Sequence, residues 1–252
     1  MNLRLADMNV AVTGVADSPF FDGYRAGSVA NRADLEIAIT PELVDGEREL
    51  AGQPRYSDEY LAQMALLRQL AECGPRLGCF LMHMAVVDYD GKAYAFAAPS
   101  GTGKSTHVRL WRRALGNAVT VINGDKPIVR LDQDASRGSV FYVYGTPWAG
   151  KEGWQTNTSA PLAGICLLGR GDHDACRRIS PQEGLERIAR QTYMPQDGEA
   201  ALQTFVFLDV LLREVPLFEL TCTMNMSAAR ASLEAMCGLD FDQCSGGKTF
   251  ED

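Results

Sequence analysis

Residues 98–106 read Ala-Pro-Ser-Gly-Thr-Gly-Lys-Ser-Thr, a combination and spacing suited to holding phosphate. The stretch follows the pattern G-x-x-x-x-G-K-[ST] except at Ala98, which occupies the first glycine position. Gly101 and Gly103 let the backbone turn its N–H groups toward phosphate oxygens, with Ser100, Thr102 and Thr106 completing the cradle. Lys104 is spaced to reach the terminal phosphates, and the Ser105 hydroxyl to sit on Mg²⁺. Asp125 is a second candidate. It ends the apolar run Ala118-Val-Thr-Val-Ile-Asn-Gly-Asp, a position where a carboxylate can hold magnesium or act on an acceptor. Asn-Gly-Asp is also ordinary turn chemistry. A third is Lys151, beside Glu152, in a loop over 145–157 that holds three glycines and two tryptophans. Such loops close over phosphates; the plainer reading is a surface loop pinned by its tryptophans.

These residues need elements to place them. Residues 92–98 form an apolar run fit for a buried strand, and 106–115 a helix-length segment ended by Gly116-Asn117. Strand, glycine loop and helix is the order that phosphate binding requires. Asp125 lies 21 positions after Lys104 (125 − 104), enough for one helix and one returning strand, which brings it beside the loop. Residues 79–89 read as a strand containing His83, joined by the Asp90-Gly91 turn to 92–98. A second hairpin is expected over 126–131 and 140–144, and a buried strand over 161–168. Helices follow at 181–193 and 200–215, the second largely core through Leu202, Phe205, Val206, Leu208, Val210, Leu211 and Leu212. A strand at 217–223 and a capped helix at 227–237 close the core.

Upstream, 8–13 and 35–40 alternate as half-buried strands, with a loop over 17–32 and a break over 46–55. Ser57 is a suitable N-cap for a helix at 58–73, stopped by Gly74-Pro75. The expected division is an N-terminal strand and helix region (1–78) packed on a core (79–239), with a flexible tail (240–252). The N-terminal part is expected to act as a covering layer or substrate lip.

Composition narrows the classes. The net charge of −8 gives no support for nucleic-acid or anionic-membrane partners, and 46% hydrophobic residues supply a core. Seven scattered cysteines without a C-x-x-C pair fit a reducing compartment, and three histidines make zinc a poor fit. No signal-peptide pattern and no apolar run of about 18–20 residues is evident. The expectation is a cytoplasmic protein, with oligomerisation left open.

With these residues in place, the chain resembles the HPr kinase/phosphorylase family, whose phosphate-loop core is shared with phosphoenolpyruvate carboxykinases. The likeness covers residues 79–131 well and the rest loosely. It is carried by Ser100-Gly-Thr-Gly-Lys-Ser105, by His83, and by the apolar strand ending at Asp125. From periodicity His83 reads as a core histidine; the resemblance implies that His83, Lys104 and Asp125 are active-site residues. It implies Asp125 as base toward an acceptor serine hydroxyl and Ser105 as a metal ligand. The implied fold is α/β, a P-loop core with a mixed β-sheet flanked by helices. The implied activity is transfer of the γ-phosphate of ATP, with Mg²⁺, to a protein or peptide hydroxyl. The chain departs from the family in having Gly124-Asp125 where two adjacent acids are usual, and in lacking a glycine-rich arginine signature. It looks more like the shorter HPr-kinase-like proteins, some of them linked to modification of ribosomally made peptides. A P-loop ATPase, a carboxykinase-like enzyme and a nucleotide-binding scaffold are the competing readings.

Overall fold

Ala6 and Asp7, two non-glycine residues at positive φ (48° and 60°), turn the chain tightly between β1 (Asn2–Leu5) and β2 (Met8–Thr13). The computed structural model describes residues 1–27, 32–52, 56–134 and 138–244. β1 is antiparallel to β2, and β3 (Leu35–Ala38) joins β2 in parallel. Leu3, Leu5, Val10 and Val12 point to one face of this small sheet and pack with Phe21 and Tyr24. Those two aromatics belong to a 3₁₀ turn, Pro19–Tyr24, inside the stretch expected as loop. Residues 28–31 of that stretch lie outside the described residues.

The break expected over 46–55 is instead largely helix. α1 (Pro41–Ala51) begins with proline at its first position and closes on Gly52 at φ 68°. Gly46 is tolerated because α1 is anchored by Glu47, a buried carboxylate paired with Arg68. Residues 53–55 lie outside the described residues. α2 (Asp58–Cys73) starts as its sequence predicts, the Ser57 hydroxyl accepting the Tyr60 N–H.

The remaining elements are β4 (Cys79–Leu81), β5 (Met84–Tyr89), β6 (Lys92–Ala97), α3 (Lys104–Leu115), β7 (Val119–Asn123), β8 (Ile128–Asp134), β9 (Gly138–Tyr144), β10 (Ser159–Arg170), β11 (Ala175–Ile179), α4 (Pro181–Arg190), α5 (Gly198–Glu214), β12 (Leu217–Cys222), α6 (Met226–Cys237) and α7 (Phe241–Cys244). Nine of the described strands make one curled, mixed sheet in the order β4-β8-β9-β10-β6-β5-β7, with β12 bridging β10 and β11. The fold is mixed α/β, the sheet flanked by helices. β10 causes the curl: its first residues pair antiparallel with β9, its later ones parallel with β6 and β12. Alternation along β6 divides the core. Ala93, Ala95 and Ala97 face Ile188 of α4 and Leu208 and Leu211 of α5, while Tyr94 and Phe96 face Trp111 of α3 and Leu233 of α6.

Several boundaries differ from the sequence reading. Residues 79–89 are two strands rather than one, because β4 leaves to pair with β8 while β5 pairs with β6. His83 lies in the break between them. On α5, Leu208, Leu211 and Leu212 are buried, but Leu202, Phe205 and Val206 are exposed, since the helix packs on one side alone. The tail begins with a helical turn that buries Phe241, and residues 245–252 lie outside the described residues. Among the described residues no helix is long and apolar enough to cross a membrane.

Candidate active site

Strand direction assembles the site. β6, β10 and β12 are parallel, and β7 runs the same way because both β6 and β7 are antiparallel to β5. Their C-terminal ends therefore share one edge of the sheet, the edge at which open α/β sheets take ligands. β6 delivers the glycine loop there and β7 delivers Asp125. β5 begins at that edge, with Met84 opposite Ala97, so the preceding His83 falls beside the loop.

The loop turns at Gly101 (φ 78°) and Gly103 (φ 124°), backbone that a side chain would strain. Gly103 caps α3 without a side-chain bond, leaving the helix N-terminus for an anion. Arg170, at the end of β10, braces the loop by donating to the Gly101 and Thr102 carbonyls. His83, Ser100, Gly101, Lys104, Ser105 and Asp125 line one cleft of about 410 Å³, together with Gly103, Thr106 and Lys151. Thr102, the remaining loop residue expected at phosphate, lines a neighbouring cavity of about 620 Å³ with Arg170 and Thr223.

Lys104 is buried. Its Nζ donates to the Ala98 carbonyl at 2.8 Å and lies 3.0 Å from His83 Nε2. The same Nε2 lies 3.0 Å from Asp125 Oδ1, and Lys126 Nζ is 2.9 Å from Asp125 Oδ2. One ring nitrogen carries either a proton or a lone pair, so His83 serves Lys104 or Asp125 at a given moment, never both. Burial pushes the Lys104 ammonium down to about 8; Asp125 opposes that shift and Lys126 adds to it. Burial would raise the Asp125 carboxyl, but the His83 hydrogen bond and the Lys126 ammonium outweigh it and hold it down to about 2.

Asn123 sets the aim of Asp125. Its side-chain oxygen, fully buried, accepts the N–H groups of Asp125 and Lys126 at 2.8 Å each, and its amide donates to Thr146. This is the Asn-Gly-Asp turn read from the sequence, here fastened to the 145–157 loop. Gly124 has no room for a side chain: a Cβ there would stand 2.7 Å from the Ala149 carbonyl oxygen. The loop backbone thus occupies the space that a second carboxylate at position 124 would need.

That loop is anchored at both ends. Trp148 is buried and donates to the Gln63 carbonyl of α2, while Glu152 accepts from Arg109 of α3 at 2.7 Å. Trp154 carries the guanidinium groups of Arg109 and Arg112, each 5.2 Å from its ring centre. Arg109 was missed by the sequence reading, although it stands one helical turn after Ser105 and lines the cleft. Lys126 was missed too.

Magnesium was expected on Ser105 and Asp125. Ser105 fits, since it lies in the first turn of α3 on the cleft wall and offers a hydroxyl there. Asp125 has each carboxylate oxygen against a basic side chain. Among the described residues no three His, Cys, Asp or Glu side chains group to hold an ion.

No family model matches the chain, and no curated protein matches it. Among solved structures it is similar to the Hpr(Ser) kinase/phosphatase from Coxiella burnetii, at 12% identity and a TM-score of 0.27. The alignment covers 53% of this chain and 92% of that one, and at this score it decides nothing about the site.

Proposed function

We propose that the chain is a P-loop phosphotransferase that moves the γ-phosphoryl group of ATP to the hydroxyl of a protein or peptide acceptor, a serine by the resemblance above. The observation that carries this reading is the run Lys104–His83–Asp125, linked by two 3.0 Å contacts beside the open N-terminus of α3. An anion in the cleft draws Lys104 away from Ala98 and His83 onto phosphate oxygens. His83 Nε2 then holds a proton toward Asp125 and fixes the carboxylate. As the acceptor oxygen bonds to the γ-phosphorus, the bond to the β-phosphate oxygen breaks, its electron pair leaves with ADP, and the acceptor proton passes to Asp125. A carboxyl held near 2 is a weak base toward a free hydroxyl. The hydroxyl turns acidic as the new bond forms, so in a loose transition state positioning outweighs basicity. Ser105 would help hold magnesium, which would supply positive charge against the charge that develops in the transfer.

The cavities support the assignment of ends. The 620 Å³ cavity beyond the loop suits the nucleoside. A further groove of about 670 Å³ includes Asp125 and is walled by Phe20, Tyr60, Met64 and Trp148. It suits the acceptor. In this reading residues 1–78 form the acceptor lip and 79–239 the nucleotide-binding core.

The test is incubation with γ-labelled ATP and Mg²⁺ over a library of serine-centred peptides, with Asp125→Asn as control. Label on peptide that falls at least about 100-fold in the variant supports the reading. Label released solely as free phosphate, across the library and protein acceptors alike, would replace it with a hydrolase. Bound nucleotide without turnover would replace it with a nucleotide-binding scaffold.

A further inference from the structure

We propose that Lys126 does at this site what a second metal ion does in two-metal enzymes: it is a fixed cation that positions Asp125 on the acceptor side and keeps that carboxylate out of the metal shell. The inference rests on the phosphotransferase reading and makes the enzyme a one-metal catalyst. Four observations lead to it. Asp125 Oδ2 is 2.9 Å from Lys126 Nζ and Oδ1 is 3.0 Å from His83 Nε2, so each oxygen already faces a basic group. A divalent ion placed on Oδ2 would stand within a few ångströms of an ammonium, and that repulsion weakens the hold of the single carboxylate on the ion. The backbone of Lys126 is held at three points, which fixes where its side chain starts. Its N–H meets the Asn123 side chain at 2.8 Å and the Trp148 carbonyl at 3.1 Å, and its own carbonyl accepts the Thr146 hydroxyl at 2.6 Å. Finally, the neighbouring position cannot supply a replacement carboxylate, because a Cβ on Gly124 would collide with the Ala149 carbonyl.

Lys126 lies on the acceptor side of Asp125. It lines the groove walled by Phe20 and Tyr60, and is absent from the wall of the phosphate cleft that holds Lys104 and Ser105. Its charge therefore acts on the phosphates through Asp125 rather than by contact. This makes it a positioning residue.

The decisive measurement is a metal count. Mn²⁺ binding is followed by electron paramagnetic resonance on the full chain, alone and saturated with a non-hydrolysable ATP analogue. The wild type is expected to take one Mn²⁺ per bound nucleotide and none of comparable affinity without it. Lys126→Ala, which frees Oδ2, is expected to gain a second Mn²⁺ in the nucleotide complex, and Lys126→Arg to keep the count at one. Two Mn²⁺ in the wild-type complex, or an unchanged count in Lys126→Ala, overturns the proposal while leaving the phosphotransferase reading intact. Failure of the analogue to bind overturns both. Should the alanine variant not fold, the wild-type count alone decides: one ion supports the proposal and two overturn it.

Discussion

Burial of the Lys104 ammonium sets a conflict between folding and binding. Its displacement from 10.5 to about 8 corresponds to about 3 kcal/mol of unfavourable free energy at neutral pH. The sign follows from proton counting: between those two values the unfolded chain binds the proton and the folded one does not. Stability is therefore lowest below pH 8 and recovers as pH rises toward 10.5. Lys104→Met should accordingly raise the melting temperature of the empty protein at pH 7 by about 2–6 °C while abolishing nucleotide binding. A phosphate favours the charged form, so ATP affinity in the wild type should hold steady up to about pH 8. It should then weaken about tenfold per pH unit, a slope that calorimetric titration at pH 7, 8 and 9 would measure. The glycines, Lys104 and Ser105 are legible in the sequence because their spacing is a geometric requirement of the loop. Lys126 is not, since lysine after aspartate is common and only the folded Asn123 turn directs it onto Asp125.

At the scale of elements, α3 must hold the loop rigid, and a buried polar knot does so. Ser232 of α6 donates to the Ala229 carbonyl and receives Trp111 Nε1 and His107 Nε2, at 2.9 Å each. The serine proton is thus spoken for, which fixes His107 with its proton on Nε2; its Nδ1 has no partner among the described residues. Burial keeps this ring neutral, pushing it from 6.5 down to about 3. Below pH 6.5 the unfolded chain takes up a proton that the folded chain refuses. The protein should therefore lose about 1.4 kcal/mol per pH unit on acidification toward 3, or about 2 kcal/mol by pH 5. Urea denaturation of wild type and His107→Gln at pH 7 and pH 5 checks this: the variant should lose markedly less between the two. Elements with strong local signals, such as α2 with its Ser57 cap and the β5–β6 hairpin with its Asp90-Gly91 turn, are readable from sequence. Others carry weaker signals. β11 is an edge strand whose Arg177 and Arg178 mask its periodicity, and α5 is apolar on faces that the fold leaves exposed. α1 reads as a break because Gly46 interrupts it and the contacts that hold it are distant in sequence: the Glu47–Arg68 pair, 21 residues apart, and the packing of Leu43 and Val44 on the N-terminal core.

For the whole molecule, the question is why the N-terminal sheet and α2 pack where they do. Their core is shared with Leu81, Ile128 and Trp148, so these N-terminal elements and the 145–157 loop are built as one wall. Nothing in the sequence of residues 1–78 announces a site, because a wall needs shape rather than chemistry. Tyr60 is a polar group of this wall whose hydroxyl is raised by burial first and then by Tyr56 and the nearby charge of Asp125. Tyr60 stacks on Tyr56 with ring centres 4.8 Å apart, both rings remain substantially exposed, and Tyr60 lines the groove that includes Asp125. In the proposed reading, an exposed aromatic pair near Asp125 offers a contact surface for the residues that flank an acceptor hydroxyl. Tyr60→Ala should raise the acceptor KM about tenfold with kcat little changed, and ATP affinity should stay within a factor of about two, since the proposed nucleotide cavity lies across Asp125 from this wall. An equal loss in ATP affinity would place Tyr60 on the nucleotide side instead, and the assignment of the two cavities would have to be exchanged.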